Sequence, residues 1–288
     1  MYERHNVDIS ERLPLVRTHM VAWTKAPSHD RLWDATTADD LLAVEEPLEI
    51  RLAGWRVAVT MRTPGDDFEL ATGFLITEGI LPGPETIASI HHCPPDDGES
   101  SGNIINVNPV DSGSVDPDRW QRHFLATSSC GICGKRSIDE VRQRAAPITS
   151  ALRIDPDRLF AMARALRAAQ TVFQQTGGLH AAALCDPGGR VLAAREDIGR
   201  HNAVDKVIGA MLRAGDADAL ASGVLLVSSR ASFEITQKAL MAGIPAVAAV
   251  SGASSLAVDL ARAAGMTLVG FLREEEGRFN VYAGERRM

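Results

Sequence analysis

From residue 179 onward, short apolar runs alternate with amphipathic helices, and this alternation constrains the fold more than any other feature of the chain. LHAAALCD and RVLAAREDI read as a strand pair turned at Pro187-Gly188-Gly189. NAVDKVIGAMLRAG follows, with Val204, Val207, Ile208 and Met211 at helical spacing. GVLLVSSR is almost uninterruptedly apolar at its start, the mark of a strand covered on both faces. SFEITQKALMAG reads as a helix stopped at Gly243, IPAVAAVSG as a second buried strand, SSLAVDLARAAG as a helix and MTLVGFLR as a strand. The order β, β, α, β, α, β, α, β predicts an α/β domain with a mainly parallel sheet and right-handed crossovers.

The chain before it has a different texture. Asp155-Pro156 predicts the start of one long amphipathic helix carrying Leu159, Met162, Ala163, Leu166, Ala169, Val172 and Phe173 on one face and stopped at Gly177-Gly178. PLEIRLAGWRVAVTMR reads as a hairpin turned at Ala53-Gly54, because Leu48, Ile50 and Leu52 alternate with polar residues and Val57, Val59 and Met61 do so on the return. FELATGFLITEGIL is a helix ended by Gly79 and Pro82, INVNPV is a strand, and HHCPPDDGESSG between them is loop by composition. The expected organisation is a mobile tail over 1–34, a small α+β domain over 35–124, and a larger domain over 125–288 that opens on the stretch SSCGICGKR.

No apolar run reaches the roughly 18 residues of a membrane span, and the N-terminus lacks the apolar core of a secretory signal, so a cytoplasmic chain is expected, with no membrane partner. The net charge of −7 argues against a nucleic-acid partner, which would demand a basic face. In a reducing compartment the four cysteines (Cys93, Cys130, Cys133 and Cys185) do not form a disulfide framework, and a close pair points to metal binding or sulfur chemistry.

Cys130 and Cys133 admit several readings. Structural zinc needs four ligands; a second pair at matching spacing is missing, although His91, His92 or Cys93 could contribute. An iron–sulfur cluster wants more cysteines. A thioredoxin-like redox pair belongs at a βα turn, whereas this pair lies between two unlike halves. A sulfur carrier needs an accessible thiolate of lowered pKa, for which Lys135 and Arg136 supply charge and the flanking glycines supply room. Two small residues without a role remain the plain alternative. Spacing does not separate these readings.

Several motifs in order resemble one family. SSCGICGK, TGGLHAA, EDIGRHNAVDK and SSRASFEITQKALMAGIPAVAAVS, with EEPLEI and TP…ELATGFLITEGI before them, resemble the formate dehydrogenase accessory sulfurtransferases known as FdhD, over about residues 44–282. The resemblance implies a small N-terminal domain, a larger domain similar to cytidine deaminases, and a homodimer. It implies a sulfurtransferase that takes sulfur from a cysteine desulfurase as a persulfide. The sulfur passes to the molybdenum (or tungsten) bis(molybdopterin guanine dinucleotide) cofactor destined for formate dehydrogenase. By the motif match Cys130 carries the sulfur and Cys133 is its partner, and a cofactor-binding stretch falls on Phe271, Leu272, Arg273, Glu274, Glu275 and Glu276. The three glutamates depart from a phosphate-friendly pattern, so backbone contacts are expected there rather than carboxylates.

A large anionic ligand wants backbone N–H groups at helix starts and a few cations. DIGRHNAVDK offers Arg200, His201 and Lys206, and SSRASFE offers Ser228, Ser229, Arg230 and Ser232; plain N-caps and solvated ion pairs are the alternative for each. His180 in TGGLHAA is either a core histidine or part of the cofactor site; the Glu of the deaminase H-x-E motif is absent after it. Glu196 and Asp197 are adjacent on a strand and face opposite ways, which argues against an acid/base pair. Cys93 and Cys185 read as small hydrophobes. No resident metal is expected. A cofactor-binding chaperone that moves no sulfur, and a zinc-stabilised binding module, remain as alternative functions.

Overall fold

The computed structural model describes residues 14–25, 33–93, 102–111 and 146–288. It opens on a two-stranded antiparallel ribbon, β1 (Leu15–Lys25) with β2 (Trp33–Ala43), paired from Leu15↔Ala43 to Lys25↔Trp33. The expected tail therefore contains a strand, and the boundary drawn at residue 34 falls inside β2. The ribbon escapes a reading by periodicity because both faces mix polar with apolar side chains and both are largely exposed.

The small domain follows the sequence reading closely. β3 (Glu46–Leu52) and β4 (Trp55–Arg62) form the hairpin, and its turn uses two left-handed residues, Ala53 (φ 50°) and Gly54 (φ 83°), as a tight two-residue turn demands. α1 (Asp67–Thr77) packs Leu70, Ala71 and Leu75 onto Leu48, Ile50 and Leu52. β5 (Ile87–His92) and β6 (Ile104–Pro109) complete a sheet of order β4-β3-β6-β5. His91 and His92, read as loop, are the last two residues of β5.

In the larger domain the expected long helix is broken at Gln170 into α2 (Pro156–Ala169) and α3 (Thr171–Thr176). Asp155 caps α2 by accepting from the Asp157 N–H at 2.9 Å, and Pro156 occupies the first turn. β7 (His180–Cys185) and β8 (Val191–Asp197) form the expected antiparallel pair. Next come α4 (Arg200–Arg213), a short α5 (Ala217–Ser222) that the sequence reading did not anticipate, and β9 (Val224–Val227). α6 (Phe233–Met241), β10 (Ala246–Ala249), α7 (Ser255–Ala264) and β11 (Thr267–Arg273) continue the alternation, and an unanticipated β12 (Arg278–Ala283) closes it.

The sheet order is β12-β11-β10-β9-β7-β8. Only its centre is parallel: β9, β10 and β11 run together, while β7, adjoining β9, and β12 are antiparallel to their neighbours. The α/β class stands, and the mainly parallel sheet becomes a mixed one. The difference arises because β8 and β12 return by short turns, and a short turn joins only antiparallel neighbours. Side chains alternate between two cores. Leu225, Val227, Val247, Ala249 and Leu268 meet α4, α6 and α7, whereas Val224, Leu226, Ala246, Ala248 and Val269 share the core of α2. This double cover explains the uninterrupted apolar runs.

The two domains are joined through α1 and α4, and the joint is polar as well as apolar. Lys238 on α6 lies 2.7 Å from Asp205 Oδ2 on α4 and 3.0 Å from Glu78 Oε1 just after α1, and it also donates to the Thr77 hydroxyl at 3.0 Å. Glu69 on α1 holds Arg195 on β8 through two hydrogen bonds of 2.6 and 2.7 Å. Within the small domain, fully buried Arg62 donates twice to Asp67, both at 2.9 Å, which fixes the turn into α1.

Candidate functional site at one edge of the large sheet

The carboxyl ends of β9, β10 and β11 lie along one edge of the sheet, the usual place for ligands in open α/β folds. Because β7 is antiparallel to β9, with Ala182 opposite Val227, its first residue, His180, stands at the same edge. Asp197, the last residue of β8, is directly opposite His180. Three helices therefore begin at this edge: α4 after β8, α6 after β9 and α7 after β10. Their first turns bring backbone N–H groups together where an anion is favoured.

Two of these turns are built alike. Ser229-Arg230-Ala231-Ser232 and Ser251-Gly252-Ala253-Ser254 both run from a strand end to a serine cap, Ser232 accepting from the Ile235 N–H and Ser254 from the Ala257 N–H. They lie side by side, Ala231 N–H donating to Gly252 O at 3.1 Å and Ser254 N–H to Ala231 O at 3.0 Å. The second turn was not among the expected site residues, although the repeated S-x-A-S pattern is visible in the sequence. Gly252 there faces the ring of Phe271: a Cβ at Gly252 would stand 3.0 Å from Phe271 Cζ. Phe271 is itself left-handed at φ 50°, and its N–H donates to Ser251 O at 2.9 Å, so the last strand kinks to set this ring against the turn.

Arg200, the first residue of α4, carries the clearest sign of a missing partner. Its Nε is buried and has no hydrogen-bond partner among the described residues. A buried unpaired donor costs about 1–3 kcal/mol, more when charged, which an anionic ligand would offset. Half-buried His180 is held below its ordinary pKa by burial and then by the charge of Arg200, and Asp197 opposes that shift only in part. The imidazole is therefore neutral at neutral pH and able both to donate and to accept. His201 lies 3.9 Å from Glu234 Oε2, one helical turn before the Asp205–Lys238 pair that joins the same two helices.

The profile of the FdhD/NarQ family matches residues 43–288. The chain belongs to this family. Relatives named sulfur carrier protein FdhD include one from Streptomyces avermitilis, 52% identical over 259 residues covering 88% of this chain and 90% of the relative. Another, from Mycobacterium bovis, is 53% identical over 254 residues, 85% of this chain and 91% of the relative. The fold is similar to the crystal structure of a protein from Desulfotalea psychrophila assigned as a formate dehydrogenase accessory protein. The TM-score is 0.73 at 24% identity, covering 96% of this chain and all of that one.

Within this FdhD/NarQ chain the expected site residues separate. His180, Arg200, His201, Ser229, Arg230 and Phe271 share the edge. Ser229 is buried, its hydroxyl donating to Arg230 O at 3.1 Å, and Arg230 is exposed. Lys206 is 1% exposed. Its ammonium is buried between Asp197 Oδ2 at 2.8 Å and Thr63 O at 2.9 Å. Four residues after Asn202, it shares that residue's helix face and points to the small domain. Leu272 belongs to the core on the α2 side. Arg273 pairs in register with Arg278, and Glu274 to Glu276 form the turn into β12, with Glu274 bound to Arg164 at 2.6 Å and Glu276 to Arg278 at 2.5 Å. Two of the three glutamates are thus engaged within the chain, and Glu275 is exposed.

Glu196 and Asp197 do face opposite ways: Glu196 caps α3, accepting from the N–H groups of Val172 at 2.9 Å and Phe173 at 2.8 Å, while Asp197 turns toward the small domain. Cys130 and Cys133 lie outside the described residues. Burial, then the neighbouring Asp186, pushes the Cys185 thiol up to about 12, so it is protonated and inert. Cys93 is half-buried just past β5. Among the described residues no group of three His, Cys, Asp or Glu side chains is placed to hold a metal, and no helix is long and apolar enough to cross a membrane.

Proposed function

We propose that this chain is a sulfurtransferase that serves formate dehydrogenase. Its substrates are the persulfide of a cysteine desulfurase and the molybdenum bis(molybdopterin guanine dinucleotide) cofactor. The Cys130 thiolate attacks the outer sulfur of the donor persulfide; a new S–S bond forms on Cys130 as the donor cysteine leaves as thiolate. Cys133, three residues on, assists the onward transfer to the metal or resolves a mixed disulfide. The cofactor's guanine-dinucleotide arms are received at the sheet edge by Arg200, His180, the two S-x-A-S turns and Phe271. The reading places the chain in the cytoplasm as a homodimer. The observation that carries it is the buried unpaired Arg200 Nε among converging helix starts, in a member of a family whose relatives are named sulfur carriers.

The test is peptide mass spectrometry after incubation with a cysteine desulfurase and cysteine, without reductant. The Cys130 peptide gains one sulfur atom, and Cys130→Ala folds but loads none and fails to mature formate dehydrogenase. The edge itself carries no reactive thiol among the described residues, which favours a second reading, a chaperone that binds the cofactor without moving sulfur. Cofactor binding with no sulfur loaded would select that reading.

A further inference from the structure

We propose that Thr63 is a positioning residue for the ligand edge: from the small domain it holds the Ile198–Gly199 turn that presents Arg200. This inference rests on the edge being a guanine-nucleotide site. Thr63 lies between β4 and α1, is 2% exposed, and spends all its polar groups on the other domain. Its N–H donates to Asp197 Oδ2 at 3.2 Å, its hydroxyl accepts from the Ile198 N–H at 3.2 Å, and its carbonyl accepts from Lys206 Nζ at 2.9 Å. The other oxygen of Asp197 accepts from the Gly199 N–H at 2.8 Å and from Asn202 Nδ2 at 3.0 Å. Asn202 in turn donates to Met61 O at 2.7 Å and accepts from the Thr60 hydroxyl at 3.2 Å.

The two N–H groups immediately before Arg200 are thus both engaged, one by Thr63 and one by Asp197, which Thr63 also holds. Among the described residues the Thr63 hydroxyl is the partner that anchors the Ile198 N–H. Losing the hydroxyl strands that half-buried N–H, and an unpaired donor shielded from water is disfavoured, so the turn shifts and Arg200 loses its setting. Because binding free energies are reciprocal, a ligand at the edge must also tighten the contact between the two domains. The small domain is on this account part of the binding apparatus without touching the ligand.

The experiment is calorimetric titration of the full chain with guanosine diphosphate, the end group of each dinucleotide arm. The variants are Thr63→Val, Thr63→Ser and Val57→Ala, the last trimming the small-domain core away from the turn. Thr63→Val keeps the shape and loses the acceptor; its affinity should fall about tenfold, the loss of one good hydrogen bond's worth of alignment. Thr63→Ser, which keeps the hydroxyl, should bind as the parent does. Val57→Ala should lower the unfolding midpoint and leave affinity unchanged. Parental affinity in Thr63→Val, failure of Thr63→Ser to retain binding, or an equal loss in Val57→Ala would each overturn the proposal. Absence of binding by the parent chain removes the reading of the edge itself, and this inference with it.

Discussion

Gly73 of α1 and Gly209 of α4 sit where the two helices cross, each with its α-carbon against the other helix's backbone. A Cβ at Gly73 would stand 1.9 Å from Asp205 O, and one at Gly209 would stand 1.9 Å from Glu69 O. The two close approaches are reciprocal, so the domains meet at backbone contact.

Gly73→Ala and Gly209→Ala therefore oppose two effects. Alanine in a helix interior gains about 1 kcal/mol over glycine. Overlap with a carbonyl oxygen cannot be relieved by rotating a side chain, and overpacking of a tight contact costs about 1–3 kcal/mol or more. The clash wins, and each substitution should lower the denaturant midpoint. A variant as stable as the parent would mean that the helices separate freely.

Lys238→Met should be among the most damaging single changes in the interdomain joint. It leaves Asp205 and Glu78 buried without their cation, and breaking such a pair costs about 3–5 kcal/mol. Replacing Asp205 together with Lys238 should recover part of that loss. Burial alone would lower the Lys238 pKa, but the facing carboxylates of Asp205 and then Glu78 outweigh it and hold the ammonium above its ordinary value. Its contribution is thus fully present below the ordinary lysine pKa of about 10.4 and is lost only as pH rises beyond it. Unfolding midpoints measured from neutral to strongly alkaline pH should decline faster in the parent than in the double variant.

His180 should titrate below the ordinary histidine value of about 6.5 in the free protein, as read by its imidazole resonances. Arg200→Ala should raise that pKa part of the way back, since burial, the larger cause, remains. The folded state releases the His180 proton more readily than the unfolded one. Its stabilising share is therefore complete above about pH 6.5 and is lost as pH falls through the folded pKa. An unchanged His180 titration in Arg200→Ala would show that the two side chains do not face each other.

Gly252→Ala should disturb the edge and spare the core. The added Cβ meets the Phe271 ring at 3.0 Å, and that ring is only half-buried, so it can swing away from the turn. Guanosine diphosphate affinity should drop severalfold while stability falls by about 1 kcal/mol, the low end of the cost of a small-to-large change. A large loss of stability would instead make Gly252 a core residue.

Several contacts now explained by the structure sit inside motifs that looked purely functional. EDIGRHNAVDK supplies Arg200 and His201 to the edge, yet Asp197, Asn202, Asp205 and Lys206 from the same stretch are spent on joining the domains. Apart from Asp197 at the end of β8, both groups lie in the first two turns of one helix; helical spacing separates their faces, but it does not say which face meets a ligand and which meets α1. The glutamates after Phe271 enter the binding stretch only through the resemblance to FdhD; the chain turns into β12 at that point.

The sequence by itself determined the class of the large domain, the β3–β4 hairpin and the ends of most helices, because these follow from periodicity, turn chemistry and capping within a few residues. Its ordered motifs also pointed to the FdhD family. Tertiary structure alone decided that the sheet is mixed, that Lys206 is buried between Asp197 and Thr63, and that two S-x-A-S turns stand side by side next to Phe271. Those outcomes depend on which distant segments meet: Thr63 and Asp197 are 134 residues apart and bond directly. Local propensity carries no information about such a pairing until the domains are packed.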